Sequence, residues 1–171
     1  MGVILGSWSG MRKYLEKEML AGCLKGRVRY DCTTYVGMDG YRIFRIFIDN
    51  EPFKAFSWET LNTYFIKNGY KSKSNPMGIG EYWDEWWDLL FRVPMSDRTE
   101  YTDKEFCNAL EKYRNQDIGT SIESENPLVM MFALLDRRVG KRTLANIKPR
   151  ISSYPEWIER IYQTRADAEG V

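Results

Sequence analysis

Apolar residues recur at helical spacing near the start of the chain. Met11, Leu15 and Met19 fall on one side of such a helix, and charged residues fill the other side. This pattern is typical of a helix with one buried face. Ser9 is a candidate N-cap, and Gly22 can end the helix. The sequence therefore predicts an N-terminal helix between these two residues.

The pattern then changes to a period of two residues. Residues 24–36 alternate between apolar and polar side chains, residues 41–49 are apolar on both sides, and residues 53–56 form a shorter run. Turn-forming residues separate the three runs, and strands joined so closely pair antiparallel. The sequence predicts a three-stranded antiparallel meander, with the second strand in the centre because both of its sides need covering.

Helical spacing returns after the strands. Ser57 can cap a helix from Trp58 to about Asn68, and all later periodic segments are helical in pattern. These later helices are predicted over about residues 81–91, 102–113, 128–139, 143–147 and 155–170. Strands do not alternate with helices, so the sequence indicates the α+β class: N-terminal helix, antiparallel meander, helix and a mainly helical C-terminal lobe.

The chain is long enough for one domain with a sizeable core, since it has 171 residues. Residues 69–80 are rich in glycine, proline, serine and asparagine, which makes them the most loop-like segment. We predict a single domain over residues 1–171. Within it, lobes 1–68 and 81–171 are joined by the loop 69–80, which is either a hinge or a surface loop.

Composition narrows the chemistry. The chain has 25 basic and 24 acidic side chains and no histidine, the residue that most often serves as a metal ligand or neutral-pH base. Its three cysteines, Cys23, Cys32 and Cys107, include no C-x-x-C pair, and an odd number cannot form a complete set of disulfides. No phosphate-binding glycine motif or serine-nucleophile motif occurs. We therefore predict no metal, no cofactor and no catalytic residue.

The sequence also bears on location. The apolar run at residues 3–5 is too short for a signal peptide, and no run approaches the length of a membrane span. The cysteine usage suits a reducing compartment. We predict a cytoplasmic protein that has no disulfide and does not bind a membrane.

A basic segment near the C-terminus is one candidate binding site. Residues 137–150 carry six basic side chains and no acidic one. The basic turn, as we call it, consists of Arg137, Arg138, Lys141 and Arg142. These residues flank Gly140 at a predicted junction of two helices, where cations and exposed amides can bind phosphate or an acidic partner. A solvated helix edge, with Asp136 paired to one arginine, explains the same pattern.

The predicted helix over residues 81–91 combines carboxylates with tryptophans. Its carboxylates share one side of the helix and are Glu81, Asp84, Glu85 and Asp88. They suit a hard cation or an acid and base pair, but a wet acidic face is the simpler explanation. Trp83, Trp86 and Trp87 span too wide an arc to be buried together. We expect an aromatic anchor for a partner among them.

The polar side of the first strand is a third candidate. It carries Lys25, Arg27 and Arg29, close to Tyr35 and to Arg42 or Arg45 of the next strand. Basic and aromatic groups on a sheet can bind single-stranded nucleic acid. A solvated face that discourages edge pairing accounts for the same residues.

Three stretches carry a resemblance to a known family. They are WSGMRKYLEKEML, LKGRVRYDCTTY and ENPLVMMFALLDRRVGKRTL. In them the chain resembles a family of small, uncharacterised bacterial cytoplasmic proteins. The matching residues are Trp8, Ser9, Leu24–Val28, Asn126, Pro127, Leu135–Arg138 and Gly140–Arg142. The resemblance implies a bacterial cytoplasmic protein and carries over no activity.

Taken together, the sequence favours a non-enzymatic intracellular protein that binds a protein partner through the basic turn or the tryptophan-rich helix. An immunity or defence-associated protein is a sharper form of this hypothesis. Two alternatives stay open: nucleic-acid binding through the basic strand and basic turn, and an enzyme built on carboxylates. The sequence leaves the oligomeric state open.

Overall fold

The computed structural model describes residues 7–34, 42–71 and 79–171, and for residues 79–83 the description is of the backbone. The helices are α1 (Trp8–Lys13), α2 (Trp58–Lys67), α3 (Ile79–Arg92), α4 (Asp103–Arg114), α5 (Ile118–Ile122), α6 (Pro127–Leu135), α7 (Lys141–Ile151) and α8 (Glu156–Glu169). The strands are β1 (Val28–Thr34), β2 (Arg42–Ile48) and β3 (Glu51–Phe56). This order confirms the predicted α+β class.

The N-terminal helical segment differs from its prediction at both ends. Ser7 is the N-cap rather than Ser9, because its Oγ accepts a hydrogen bond from the Gly10 amide at 3.1 Å. Helix α1 is followed directly by a π-helical turn over Tyr14–Glu18. The helical segment therefore ends at Glu18, before Gly22. Gly22 instead begins a short 3₁₀ turn.

The sheet has the order β1-β2-β3 with antiparallel pairing, so β2 is central as predicted. Strand β1 begins four residues later than predicted, because residues 22–27 turn and Gly26 takes a φ of +83°. The β2–β3 hairpin turns at Asp49 and Asn50, whose φ values are +52° and +67°. Two successive positive φ values match the twist of a tight hairpin. Strand β3 therefore starts at Glu51, earlier than predicted.

Four capping residues inferred from the sequence are confirmed. The Ser57 hydroxyl accepts a hydrogen bond from the Thr60 amide at 3.1 Å. Thr102 and Glu105 form the predicted capping box at α4, and the Asn126 side chain accepts from the Leu128 amide at 3.0 Å. Each cap satisfies amides that the first helical turn leaves without a partner.

The main core lies between the sheet and the C-terminal helices. A series of aromatic contacts crosses it: Phe44 of β2 lies 4.7 Å from Phe106 of α4, and Phe106 lies 5.4 Å from Phe132 of α6, measured between ring centroids. Every residue of α6 is buried, and α6 packs against α4, α5 and α8. A helix that is apolar all round belongs inside a protein, which explains why α6 is central.

A second, smaller group of buried residues joins α2 to α3. We call it the α2–α3 cluster, and its members are Leu61, Phe65, Trp86, Leu89 and Val93. Both this cluster and the main core draw residues from the two sides of the predicted loop 69–80. Residues 72–78 of that loop lie outside the described residues, so the hinge and the division into lobes stay predictions.

Three predictions for the C-terminal helices differ from the structure. Helix α6 ends at Leu135 rather than Val139, because the backbone of Asp136 is extended and forms an antiparallel bridge with Leu20. Helix α7 is longer than predicted and includes Pro149. Helix α5 was not expected, since its five residues are too few for a clear periodic pattern.

Candidate protein-interaction surface

The basic turn is held by a buried carboxylate. The Asp136 side chain is 1% exposed and accepts hydrogen bonds from the Arg138 amide at 2.7 Å and from the Arg138 guanidinium at 2.7 and 3.1 Å. The Tyr113 hydroxyl of α4 donates to the same carboxylate. These hydrogen bonds hold the pKa of Arg138 above its ordinary value. Arg138 is therefore a structural part of the turn.

Backbone contacts fix the turn further. The Arg137 amide donates to the Met19 carbonyl at 2.8 Å, and the Ala21 amide donates to the Leu135 carbonyl at 2.9 Å. From the other side, the buried Arg165 of α8 donates to the Val139 carbonyl at 2.6 Å. The end of α6 is thus tied to the N-terminal segment and to α8. No pattern in the sequence pointed to Arg165, because a single arginine on a helix usually lies at the surface.

The other three cations of the basic turn are uncommitted within the described part of the chain. Arg137, Lys141 and Arg142 are exposed, and no described carboxylate lies within 4 Å of them. Gly140 is the N-cap residue of helix α7, and it has no side chain that could cap the helix. The structure therefore separates the four predicted residues into one internal ion pair and three free surface charges.

Helix α3 presents its tryptophans in different directions. Trp86 is 3% exposed and packs against Phe65, with 5.5 Å between the ring centroids, so it belongs to the α2–α3 cluster. Trp87 is 64% exposed and Phe91, one turn further on, is 90% exposed. The Trp83 side chain lies outside the described residues. Phe91 was not singled out from the sequence, although its spacing of four from Trp87 was the available signal.

Two carboxylates lie on the same side of α3 as these aromatic rings. The α3 outer face, as we define it, consists of Asp84, Trp87, Asp88 and Phe91, which are spaced at i, i+3, i+4 and i+7. Asp84 and Asp88 are exposed, and Asp88 forms an ion pair of 2.6 Å with Arg92. Glu85 is half-exposed beside them, and the side chain of Glu81 is outside the described residues.

The described carboxylates of α3, which are Asp84, Glu85 and Asp88, line neither of two surface grooves of about 750 and 760 Å³. The first groove lies beside α5 and contains Asp117, Glu123 and Glu125 in its lining, and the second contains Glu59 and Glu100. Asp117 caps α5 by accepting hydrogen bonds from the Thr120 hydroxyl at 2.5 Å and from the Thr120 amide at 2.9 Å, and these bonds lower the pKa of that carboxyl. Glu123 pairs with Arg150. Asp117 and Glu123 are therefore committed to structural contacts. Among the described residues, no group of cysteine, aspartate or glutamate side chains is arranged to hold a metal ion.

Most of the basic side chains predicted near the first strand already contact another side chain. Arg27 donates two hydrogen bonds of 2.8 Å to Asp49, and Arg45 contacts Asp31 at 3.3 Å. The Arg29 guanidinium stacks 4.2 Å from the ring centre of Phe47 on β2. Lys25 and Arg27 lie in the turn ahead of β1 rather than on the strand. Tyr35 lies outside the described residues.

None of the three cysteines forms a disulfide. Cys107 is buried, and burial raises the pKa of its thiol to about 12. The Cys23 thiol donates to Glu169 at 3.2 Å, and burial is the main cause of its raised pKa. A raised pKa disfavours the thiolate, which is the reactive form of cysteine.

Comparison with known proteins places the chain in a family. The model of the SF0329 protein family matches residues 7–166. The chain belongs to that family. SF0329 is an uncharacterised family. No curated protein and no solved structure matches the chain. None of the helices that the structure describes is long and apolar enough to cross a membrane.

Proposed function

We propose that this SF0329 protein is a non-enzymatic protein-interaction module that docks a protein partner through the α3 outer face. The observation that carries the proposal is the pair of large aromatic side chains, Trp87 and Phe91, that α3 presents to solvent one turn apart. Aromatic anchors supply a large share of the binding energy at many interfaces. The other side of α3 packs against α2 through the α2–α3 cluster, which leaves the α3 outer face directed away from α2.

The concentration of exposed apolar surface in one region supports this choice. In the described part of the chain, the exposed large apolar side chains are Tyr70, Trp87, Phe91 and Val171. Two of these four, Trp87 and Phe91, lie one turn apart on the α3 outer face, whereas the ring of Tyr70 contacts Phe65 of the α2–α3 cluster. Grouped exposed apolar side chains mark interaction sites more often than scattered ones do.

The proposal also covers the protein's origin, location and biological role. The resemblance in the three motif stretches supports a bacterial cytoplasmic protein. An immunity or defence-associated protein is the sharper form of the proposal. Immunity proteins act by binding a partner rather than by catalysis. This form of the proposal therefore also requires a protein partner that binds the α3 outer face.

Affinity capture from a native lysate tests the docking function. We compare wild type with the aromatic variant, Trp87→Ser and Phe91→Ser, and with the basic-turn variant, Arg137→Ala, Lys141→Ala and Arg142→Ala. We expect proteins that wild type and the basic-turn variant both capture and that the aromatic variant does not. Identical sets of captured proteins from wild type and the aromatic variant would contradict the proposal.

Nucleic-acid binding is a second candidate, which the three free cations of the basic turn favour. Its test is the anisotropy of labelled single-stranded DNA and RNA at rising salt. If this candidate holds, the basic-turn variant reduces the slope of log affinity against log salt by about 0.7 for each phosphate group that it no longer neutralises. The variant spares Arg138, because removing it leaves the buried Asp136 without its ion pair. Absence of binding by wild type in dilute salt would eliminate this candidate.

A further inference from the structure

We infer that the partner of the α3 outer face is a basic amphipathic helix of another protein. Such a helix has apolar side chains on one side, flanked by lysine and arginine. The inference rests on the proposed docking function and adds the chemistry of the partner. It is carried by the charges that surround the two aromatic anchors.

Negative charge predominates around the anchors. Between residues 84 and 92, three carboxylates stand against the single guanidinium of Arg92, and one of the three, Glu85, interacts electrostatically with Lys71. Arg92 is already paired with Asp88, and no described basic group lies within 4 Å of Asp84. A partner with lysine and arginine beside its apolar side chains complements this field, whereas an acidic partner is repelled.

The shape of the surface selects a helix. The α3 outer face is a convex strip two turns long, and the side chains of its anchors project from it. A second helix can lie alongside such a strip and take the projecting rings between its own side chains. Two aromatic rings bury about 150–250 Å² each, which is less than the roughly 800 Å² that a standard interface buries on each partner. Charged contacts at the rim therefore contribute a substantial share of the affinity.

Neither the α3 outer face nor α7 of a second copy provides the combined basic and apolar surface that the α3 outer face requires. Pairing of two α3 outer faces brings carboxylates together with carboxylates. Lys141 and Arg142 are two free cations on α7, and that helix has no exposed large apolar side chain. The basic turn thus has cations without apolar anchors, and the α3 outer face has apolar anchors without a cation.

Two designed peptides test the inference directly. Each has 18 residues with leucine along one helical side, and the other positions are lysine in one peptide and glutamate in the other. Binding of the labelled peptides is followed by anisotropy at 50 and 500 mM NaCl. The neutralised variant is Asp84→Asn, Glu85→Gln and Asp88→Asn, and its matched control is Glu125→Gln, Glu156→Gln and Glu159→Gln. Circular dichroism verifies that every variant is folded.

We expect the lysine peptide to bind wild type in dilute salt and the glutamate peptide to bind at least about 30-fold more weakly. The aromatic variant should bind the lysine peptide at least about 30-fold more weakly than wild type does, because buried aromatic anchors are the strongest contributors to an interface. The neutralised variant should bind the lysine peptide about 5- to 20-fold more weakly than wild type in dilute salt. At 500 mM NaCl its affinity should be close to that of wild type, because rim charges are screened. The control should stay within about twofold of wild type.

Several outcomes would overturn the inference. These are equal binding of the two peptides, no binding of the lysine peptide, and equal affinity of wild type and the neutralised variant. Sedimentation that shows a wild-type dimer, which the aromatic variant does not form, would also overturn it in favour of a second copy. The docking function itself fails on a different result, namely lysate capture that does not depend on Trp87 and Phe91.

Discussion

Helices α3 and α6 are both rich in apolar residues, and the protein uses them in opposite ways. All nine residues of α6 are buried in the main core, between α4, α5 and α8. Helix α3 buries Trp86 and Leu89 against α2 and exposes Trp87 and Phe91. Apolar content alone therefore does not determine burial. What differs is the number of neighbouring elements, because α6 is enclosed and α3 is covered on one side.

The two regions also differ in how they are fixed. The main core combines aromatic contacts with polar ties, such as the Asp136 carboxylate that joins Tyr113 and Arg138. The α2–α3 cluster has five buried apolar residues. We expect the main core to set the global stability and the α2–α3 cluster to open at lower free energy.

The largest expected effect comes from removing one buried ring in each region. Phe132→Ala in α6 should lower the free energy of unfolding by about 3–5 kcal/mol, because it leaves a cavity in the main core. Phe65→Ala is its match in the α2–α3 cluster, since both rings are fully buried. Hydrogen exchange should show that Phe65→Ala mainly exposes amides of α2 and α3. Equal loss of protection across α4, α6 and α8 would contradict the separate behaviour of the two regions.

Breaking the buried ion pair between Asp136 and Arg138 at the end of α6 gives the next largest effect. Asp136→Asn should lower the free energy of unfolding by about 2–4 kcal/mol, because it breaks a buried ion pair and its hydrogen bonds. Asp49→Asn is the matched control, since Asp49 makes a similar two-bonded pair with Arg27 at the surface. The control should have a much smaller effect, measured by urea denaturation. Similar losses from the two substitutions would show that burial of Asp136 is not what matters.

Alkaline pH should weaken the main core. Burial raises the pKa of Cys107 from an ordinary 9.0 to about 12, and burial raises the pKa values of Tyr30 and Tyr101 above 10.0. The unfolded chain releases these protons first, so the stabilisation is complete below about pH 9 and is lost as pH rises toward 12. Buried Lys54 acts in the opposite direction, because its pKa is lowered.

Urea denaturation at pH 8 and pH 10.5 measures this dependence. We expect the free energy of unfolding to fall by about 2–4 kcal/mol between these pH values. Tyr30→Phe should reduce the fall, because it removes one of the contributing groups. Stability that is unchanged or higher at pH 10.5 would contradict the assignment.

The smallest effect is expected on the α3 outer face. Trp87→Ser and Phe91→Ser should each change the free energy of unfolding by less than about 0.5 kcal/mol, as exposed side chains generally do. Trp86→Ala, which alters the adjacent but buried ring, should cost about 3–5 kcal/mol. Thermal unfolding of the three variants measures the difference. A large loss from Trp87→Ser would show that its ring is part of the core.

Much of the fold could be predicted because the signals were local. Ser57, Thr102 and Asn126 each bond to amides two or three residues away, so a short stretch of sequence contains both partners. The alternation in β1 and the apolar run of β2 likewise predicted the central position of β2. Predictions from local preferences were wrong where a distant residue determined the structure. Helix α6, for example, ends early because Asp136 pairs with Leu20.

The candidate site was less predictable for the same reason. The sequence identified a basic turn and a tryptophan-rich helix, but not which of their side chains were free. Arg138 is committed through Asp136 to Tyr113 of α4, and Trp86 is committed to Phe65 of α2. These partners are remote in the chain, and no spacing rule connects them.

The sequence by itself determined the class of the fold, the order of its strands and longer helices, and the starting points of α2, α4 and α6, because caps and periodicity act over a few residues. Only the tertiary structure decided where α6 ends, since Leu20 and Asp136 meet across more than a hundred residues. It also decided that Trp87 and Phe91 face solvent. A helix with apolar residues on two sides can bury either one, and the position of α2 fixed which side was covered.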